Sequence, residues 1–512
     1  MLLQILFIVI FFAIMIGVGV YCTRLSANVD GFVLGGRSVG PWLTAFAFGT
    51  SYFSAVIFVG YAGQFGWNFG LASTWIGLGN AFIGSLLAWV ILGKRTRVMT
   101  QKIGSRTMPD FFAKRYSSDG LKIAASVIIF IFLIPYTASL YNGLSSIFSI
   151  SMNLPYWVII VSMALLTGLY VIFGGYMATA INDFIQGLIM LVGIVSVIAS
   201  VLADNGGFTS AYTALSQIES AYPETQGLQG AFTSFFGPQP LYLLVVVILT
   251  SLGTWGLPQM IGKFYSIKNE DAIRKGTIIS TIFAIIVAGG CYFLGGFGRL
   301  YDSPELYNNG KIMTDSIIPT MLSKMPDIVV ALVVLLVLSA SMSTLSSLVL
   351  TSSSTLTLDV IAPAISKKKG EIPEKKKLIV LRIFIVFFII VSAVLAIIKD
   401  AFPGFVFIAQ MMGVSWGALA GAFLAPFLYG LYMKKTTKAA VWASFVWGVG
   451  IEVIQLLVMT GVLSFDSGIL ALIFKNSLYS GAFAMVSGLV LVPLVSLITK
   501  KPDKAAVNEM FE

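Results

Sequence analysis

Residues 329–355 read VVALVVLLVLSASMSTLSSLVLTSSST, an apolar run carrying a dense hydroxyl cluster: Ser339, Ser341, Ser343, Thr344, Ser346 and Ser347, then Thr351 to Thr355. Ala340, Ser343, Thr344 and Ser347 stand at i, i+3, i+4 and i+7, so they share one helical face. Such a face can offer hydroxyl oxygens and locally freed carbonyls to a hard cation, and sodium suits it. The competing reading is helix packing, because Ser and Thr are common where membrane helices approach closely and can bond back to their own carbonyls. The rest of the chain bears on that choice.

Apolar residues make up 57% of the 512 residues and charged residues 11%, far from soluble globular composition. The chain reads as an all-α polytopic membrane protein. About 20 apolar residues cross the hydrocarbon core as a helix, and thirteen such stretches fall near residues 3–21, 42–66, 71–93, 122–149, 155–174, 180–203, 239–262, 276–298, 317–355, 378–398, 403–432, 438–461 and 477–499. The Lys434, Lys435 and Lys438 cluster divides 403–461, since those charges must reach water.

Basic residues set the expected orientation. With the N-terminus outside, 27 of the 32 Lys and Arg fall in inner segments, including Lys263 to Lys275, and only Arg299, Lys311, Lys324, Lys399 and Lys475 fall outside. That asymmetry predicts a multi-pass protein of the cell membrane with its N-terminus out and its C-terminus cytoplasmic. The net charge of +10 is scattered over short inner loops, so it reads as topology and implies no nucleic-acid partner. The first span has no basic residue before it and is expected to be retained as a helix. Two cysteines make neither a disulfide framework nor a metal cluster. The absence of His removes imidazole catalysis and His metal sites.

The sequence divides into an N-terminal extra helix and inner loop (1–41), a block of five spans (42–203), an outer loop (204–238), a second block of five (239–432), and two C-terminal helices with a short tail (433–512). Five is odd, so the two blocks sit in the membrane with opposite orientation, as in an inverted repeat. Each block opens on a span interrupted by helix-disfavouring residues: Phe48-Gly49-Thr50-Ser51-Tyr52-Phe53-Ser54 in the first, and Ser251-Leu252-Gly253-Thr254-Trp255-Gly256-Leu257-Pro258-Gln259 in the second. Backbone freed at mid-membrane is tolerated only against protein, water or ligand. A single interruption reads as an ordinary kink; a matched pair points to a binding site.

Phe32-Val33-Leu34-Gly35-Gly36-Arg37-Ser38, Gly49-Thr50-Ser51, the stretch YVIFGGYMATAINDFIQ from Tyr170 to Gln186, and Ala340 to Ser347 resemble the sodium:solute symporter family. The likeness is greater to its bacterial proline/pantothenate-type branch than to its sugar branch. It implies a leucine-transporter-like core of 5+5 helices, and a sodium site between the first and eighth core helices. By alignment that site takes the backbone carbonyls of Thr50, Phe53 and Ala340 and the hydroxyls of Ser343 and Thr344. In some family members the residue matching Asp183 joins serines of the eighth core helix around a second sodium; the serines here are Ser343, Ser346 and Ser347. The alternative for Asp183 is a helix cap near the interface, since Asn182-Asp183 precedes an apolar run.

The proline branch carries a Tyr matching Tyr136 and a Pro matching Pro258, but departs from this chain at Tyr52, Thr250 and Thr254. The sugar branch departs further, because residues 279–297 lack a Lys and the third span offers Asn80 in place of a carboxylate. A small solute pocket is expected near Tyr52, Tyr136, Thr254, Trp255, Pro258 and Gln410, its solute an amino acid or other small carboxylate facing the positive end of a half-helix. Glu452 is expected to make a structural contact with Gln455, away from the solute. The function expected is sodium-coupled import by alternating access, by a protein that works as a monomer and is not an enzyme. The alternatives are sodium-coupled uptake of a sugar or vitamin-like solute, or a cation channel, whose repeated filter sequence is not seen here.

Overall fold

The computed structural model describes residues 2–152, 155–323, 325–401 and 408–511. Lys324 and the expected opening of the eleventh span, residues 403–407, lie outside them. Eleven helical runs among the described residues are long and apolar enough to cross a bilayer. Two of these, Val56–Lys102 and Tyr156–Asp204, are 47 and 49 residues long, about twice a single crossing. Each contains a glycine in the left-handed region, Gly70 at φ 61 and Gly175 at φ 53, where the direction of the chain changes. The run lengths therefore leave room for the thirteen stretches expected.

One stretch begins later than its hydropathy suggests. Residues 317–323 form a separate short helix, Ile317–Ser323, and the long helix starts at Asp327 behind Pro326. Proline has no N–H and a fixed φ, so it fits at a helix start and not in its interior. From there Asp327–Thr355 runs without interruption and continues through wider turns at Leu356–Ile361 into Ala362–Lys369.

Both interruptions expected from sequence are present. The first opening helix is Pro41–Tyr52; Phe53 is extended at φ −82 and ψ 115, and helical turns resume at Val56–Tyr61. The second is Pro240–Gly253, with Leu257 extended at φ −80 and ψ 121 before Pro258–Ser266. The two breaks, residues 53–54 and 254–257, thus each contain a residue with nearly the same extended torsions. The breaks are braced by close packing: a Cβ at Gly253 would meet the Trp416 ring, and one at Gly256 would meet the backbone at Ala420 and Leu424.

The helix Asp327–Thr355 is central, packed against Tyr156–Asp204, Asp119–Met152 and Pro41–Tyr52. Its residues from Val333 to Leu350 are buried apart from Leu335, which is why its polar face must find partners within the protein. The residues just before the first opening span and those at or just after the end of the second are also joined. Val39 N donates to Ser266 O at 3.1 Å and Lys268 N to Val39 O at 3.0 Å, while the Arg37 guanidinium donates to the carbonyls of Ser105 and Tyr265. The helices Lys438–Met459 and Ser477–Ile498 pack on Ile408–Tyr432. There Glu452, fully buried, accepts from Ser480 Oγ at 3.0 Å. The hydrogen bond on this carboxylate thus comes from the facing helix, and the expected contact with Gln455 is replaced.

Candidate sodium and solute site

The first break frees the carbonyls that the sequence singles out. Continuous helix would pair Phe53 O with Ile57 N, but Ile57 N and Phe58 N both donate to Ser54 O at 3.0 Å. Phe53 O is left to face the hydroxyl-bearing helix. Thr344 Oγ1 lies 3.1 Å from Thr50 O, 3.4 Å from Phe53 O and 3.1 Å from Ala340 O. Ser343 Oγ lies 3.1 Å from Thr50 O and 3.2 Å from Ala340 O. All five residues are essentially inaccessible to water.

The chemistry of this donor set is lopsided. Each hydroxyl has one proton and two acceptor lone pairs, so two protons face three carbonyl oxygens. The surplus is of lone pairs, at a desolvated point without a carboxylate. A monovalent hard cation satisfies such a set, and the residues fit sodium.

Asp183 is neither at a helix end nor near water. It lies within Tyr156–Asp204, eight residues beyond Gly175, and is fully buried; a capping role does not fit that position. Of the serines expected beside it, Ser343 faces Thr50 O, and Ser346 Oγ donates to Ser343 O at 3.0 Å. Ser347 Oγ pairs with Ser51 Oγ at 2.7 Å and accepts from Lys263 Nζ at 3.0 Å. That lysine is absent from the sequence expectation, which counts it with the inner loop charges. It is instead 3% exposed, on Pro258–Ser266, with Nζ 3.6 Å from Asp183 Oδ2. The one signal in the sequence is its position five residues after Pro258 among apolar neighbours.

The expected solute residues divide into four groups. Tyr52 and Tyr136 converge on Trp416, with ring centroids 5.8 and 6.1 Å from it. Tyr52 Oη, Ser54 Oγ, Tyr136 Oη and Trp416 Nε1 are all buried and none makes a well-formed hydrogen bond, although Tyr136 stands within polar reach of Ser54 and Trp416, and Tyr52 of Thr250. Thr254 and Trp255 instead spend their polar atoms on the third span, Thr254 Oγ1 donating to Gly84 O and Trp255 Nε1 to Ile83 O, each at 2.9 Å. Pro258 lines a small cavity of about 50 Å³ with Gln259, Lys263, Ser347 and Arg106. Gln410 is half-buried, and its carbonyl accepts from Ser477 Oγ at 3.2 Å. Trp416 is, after Lys263, a second residue that sequence reasoning missed, and it touches both the first break, through Tyr52, and the second, through Gly253.

Comparison with known proteins identifies the family and the fold. The profile of the sodium:solute symporter family matches residues 32–448, most of the chain. The chain belongs to the sodium:solute symporter family. Sodium/proline symporter 2 of Staphylococcus saprophyticus is 27% identical, over 98% of this chain and 94% of that protein. The osmoregulated proline transporter OpuE of Bacillus subtilis is 27% identical over 97% and 95%. Among solved structures, a Na+-coupled sialic acid symporter in a substrate-bound outward-open state superposes with a TM-score of 0.74 at 18% identity, covering 98% of each chain. The fold is thus leucine-transporter-like, as the interrupted spans suggest. Family membership makes this a sodium-coupled symporter that imports a solute, with sodium as the coupling ion. The family and these relatives are transporters and not enzymes.

Proposed function

We propose that this chain imports a small carboxylate-bearing solute, an amino acid or a close relative, using one sodium held by Thr50 O, Phe53 O, Ala340 O, Ser343 Oγ and Thr344 Oγ1. The observation that carries the reading is the convergence of those five oxygens, with two protons among them, on the first break. Sodium there ties the interrupted span to the central helix. It therefore binds best when the two are close, and a preference for one conformation is all that coupling requires. Because the site has no fixed anion, release into the cell is not opposed by a buried carboxylate.

The solute reading rests on Tyr52 Oη, Ser54 Oγ, Tyr136 Oη and Trp416 Nε1. Buried polar groups without well-formed hydrogen bonds call for an explanation. All four can donate, and none is charged. Ionised carboxylates accept through about four lone pairs, so an anion supplies what the four donors lack. Ser54 stands just ahead of the helical turns that resume at Val56–Tyr61, and the N-terminal end of those turns favours an anion.

The basic-residue asymmetry supports an N-terminus outside and a cytoplasmic C-terminus, which puts the cavity beside Pro258 and Arg106 on the cytoplasmic side as an exit route. We read the single chain as the working unit, since both sites are built from its own helices. The test is uptake into proteoliposomes of radiolabelled proline, other small amino acids, small carboxylates and a sugar, with sodium or choline outside. Sodium-dependent uptake of a carboxylate supports the proposal; sodium-dependent uptake of the sugar alone overturns the solute assignment.

A further inference from the structure

Beside the sodium site lies a buried ion pair with no part in that site's oxygen set. Lys263 Nζ is 3.6 Å from Asp183 Oδ2 and donates to Ser347 Oγ at 3.0 Å, with its charge also 5.3 Å from the centre of the Tyr176 ring. Lysine and aspartate are 3% and 0% exposed. Buried charges persist when they are paired, and a single carboxylate balances a single cation. The groups that meet the ammonium, a carboxylate oxygen and a serine hydroxyl, are oxygen acceptors of the kind that coordinates a metal ion. An ammonium and a sodium ion therefore compete for one set of lone pairs and one negative charge. A sodium added beside Lys263 would leave an unbalanced positive charge in a desolvated place.

We propose that the Lys263 ammonium is a built-in cation that occupies the second-ion site made by Asp183 and Ser347, so that the chain binds one sodium, and that removing the ammonium creates a second sodium site. This rests on the sodium reading of the first site. The tether has a mechanical consequence. Lys263 belongs to the second interrupted span, and Ser347 joins it to Ser51 of the first. The fixed cation links the two interrupted spans to the central helix, as a mobile second ion would, without being released in each cycle.

The experiment is saturation binding of radioactive sodium to the purified full-length chain, with choline holding ionic strength constant. Wild type should bind one sodium per chain with a Hill coefficient of about 1. K263M should bind two per chain with a steeper isotherm, and K263M/D183N should return to one, because the carboxylate that draws the second ion is gone. A monodisperse K263M that still binds one, or a wild type that binds two, overturns the assignment of Lys263. Should K263M fail to fold, the wild-type count alone decides, one supporting and two overturning. A wild type that binds no sodium removes the first site and this inference together, an outcome distinct from one sodium in both proteins.

Discussion

At the scale of single residues, the spacing of Ala340, Ser343, Thr344 and Ser347 is enough to place a polar face on an apolar helix. It does not tell where the face points. Family resemblance connects it to Thr50 and Phe53, and the structure sets the hydroxyls 3.1 to 3.4 Å from those carbonyls. Thr344→Ala should raise the sodium concentration for half-maximal uptake by about tenfold, a loss of ~1.4 kcal/mol, with Ser343→Ala smaller or equal; a sodium titration of initial uptake checks it. Trp416→Phe keeps an aromatic ring but removes Nε1 and the rest of the indole, so it should raise the solute KM several-fold and leave the sodium titration almost unchanged, as paired titrations would show. Lys263 and Trp416 were not legible because their roles depend on distant partners. A lysine near a span end reads as a solvated loop charge, and nothing local says that Asp183, 80 residues earlier, comes within 3.6 Å of it.

At the scale of elements, Gly marks both interruptions in the sequence and Pro the second, since they disfavour continuous helix. The extended torsion of Leu257 is marked by Pro258, which pushes the residue before it out of the α region, but Phe53 has no such mark. Close helix crossings are likewise only half visible. The stretch Ala62–Phe69 meets Gly290–Gly295 backbone to backbone: a Cβ at Gly66 would run into Gly295, and one at Gly295 into Ala62. Small residues permit that approach in a bilayer, where packing and not water expulsion holds helices together. Gly66→Leu should therefore cost more than an ordinary lipid-facing substitution, measured as a fall in the monodisperse fraction on size-exclusion chromatography. Val90→Leu on the exposed face of the third span should leave that fraction unchanged.

At the scale of the whole molecule, hydropathy and basic-residue counts carry most of the architecture, because the bilayer fixes span length and flanking charge. At Gly175 the glycine turn falls between the stretches expected at 155–174 and 180–203, whereas at Pro326 proline shortens a stretch that hydropathy alone runs too long. The orientation is directly testable, since both native cysteines, Cys22 and Cys291, are buried. In intact cells an impermeant maleimide should label Lys311→Cys and not Lys435→Cys, and the reverse pattern would invert the topology. The central claim, sodium between the first break and the central helix, is tested most directly by the melting temperature of the purified chain in sodium against choline at equal ionic strength. A ligand that binds only the folded state adds about 2.7 kcal/mol at a hundred times its Kd. Sodium should raise the wild-type melting temperature saturably and leave a Ser343→Ala/Thr344→Ala double variant almost unmoved; equal melting in the two salts, or an undiminished rise in the double variant, would contradict the account.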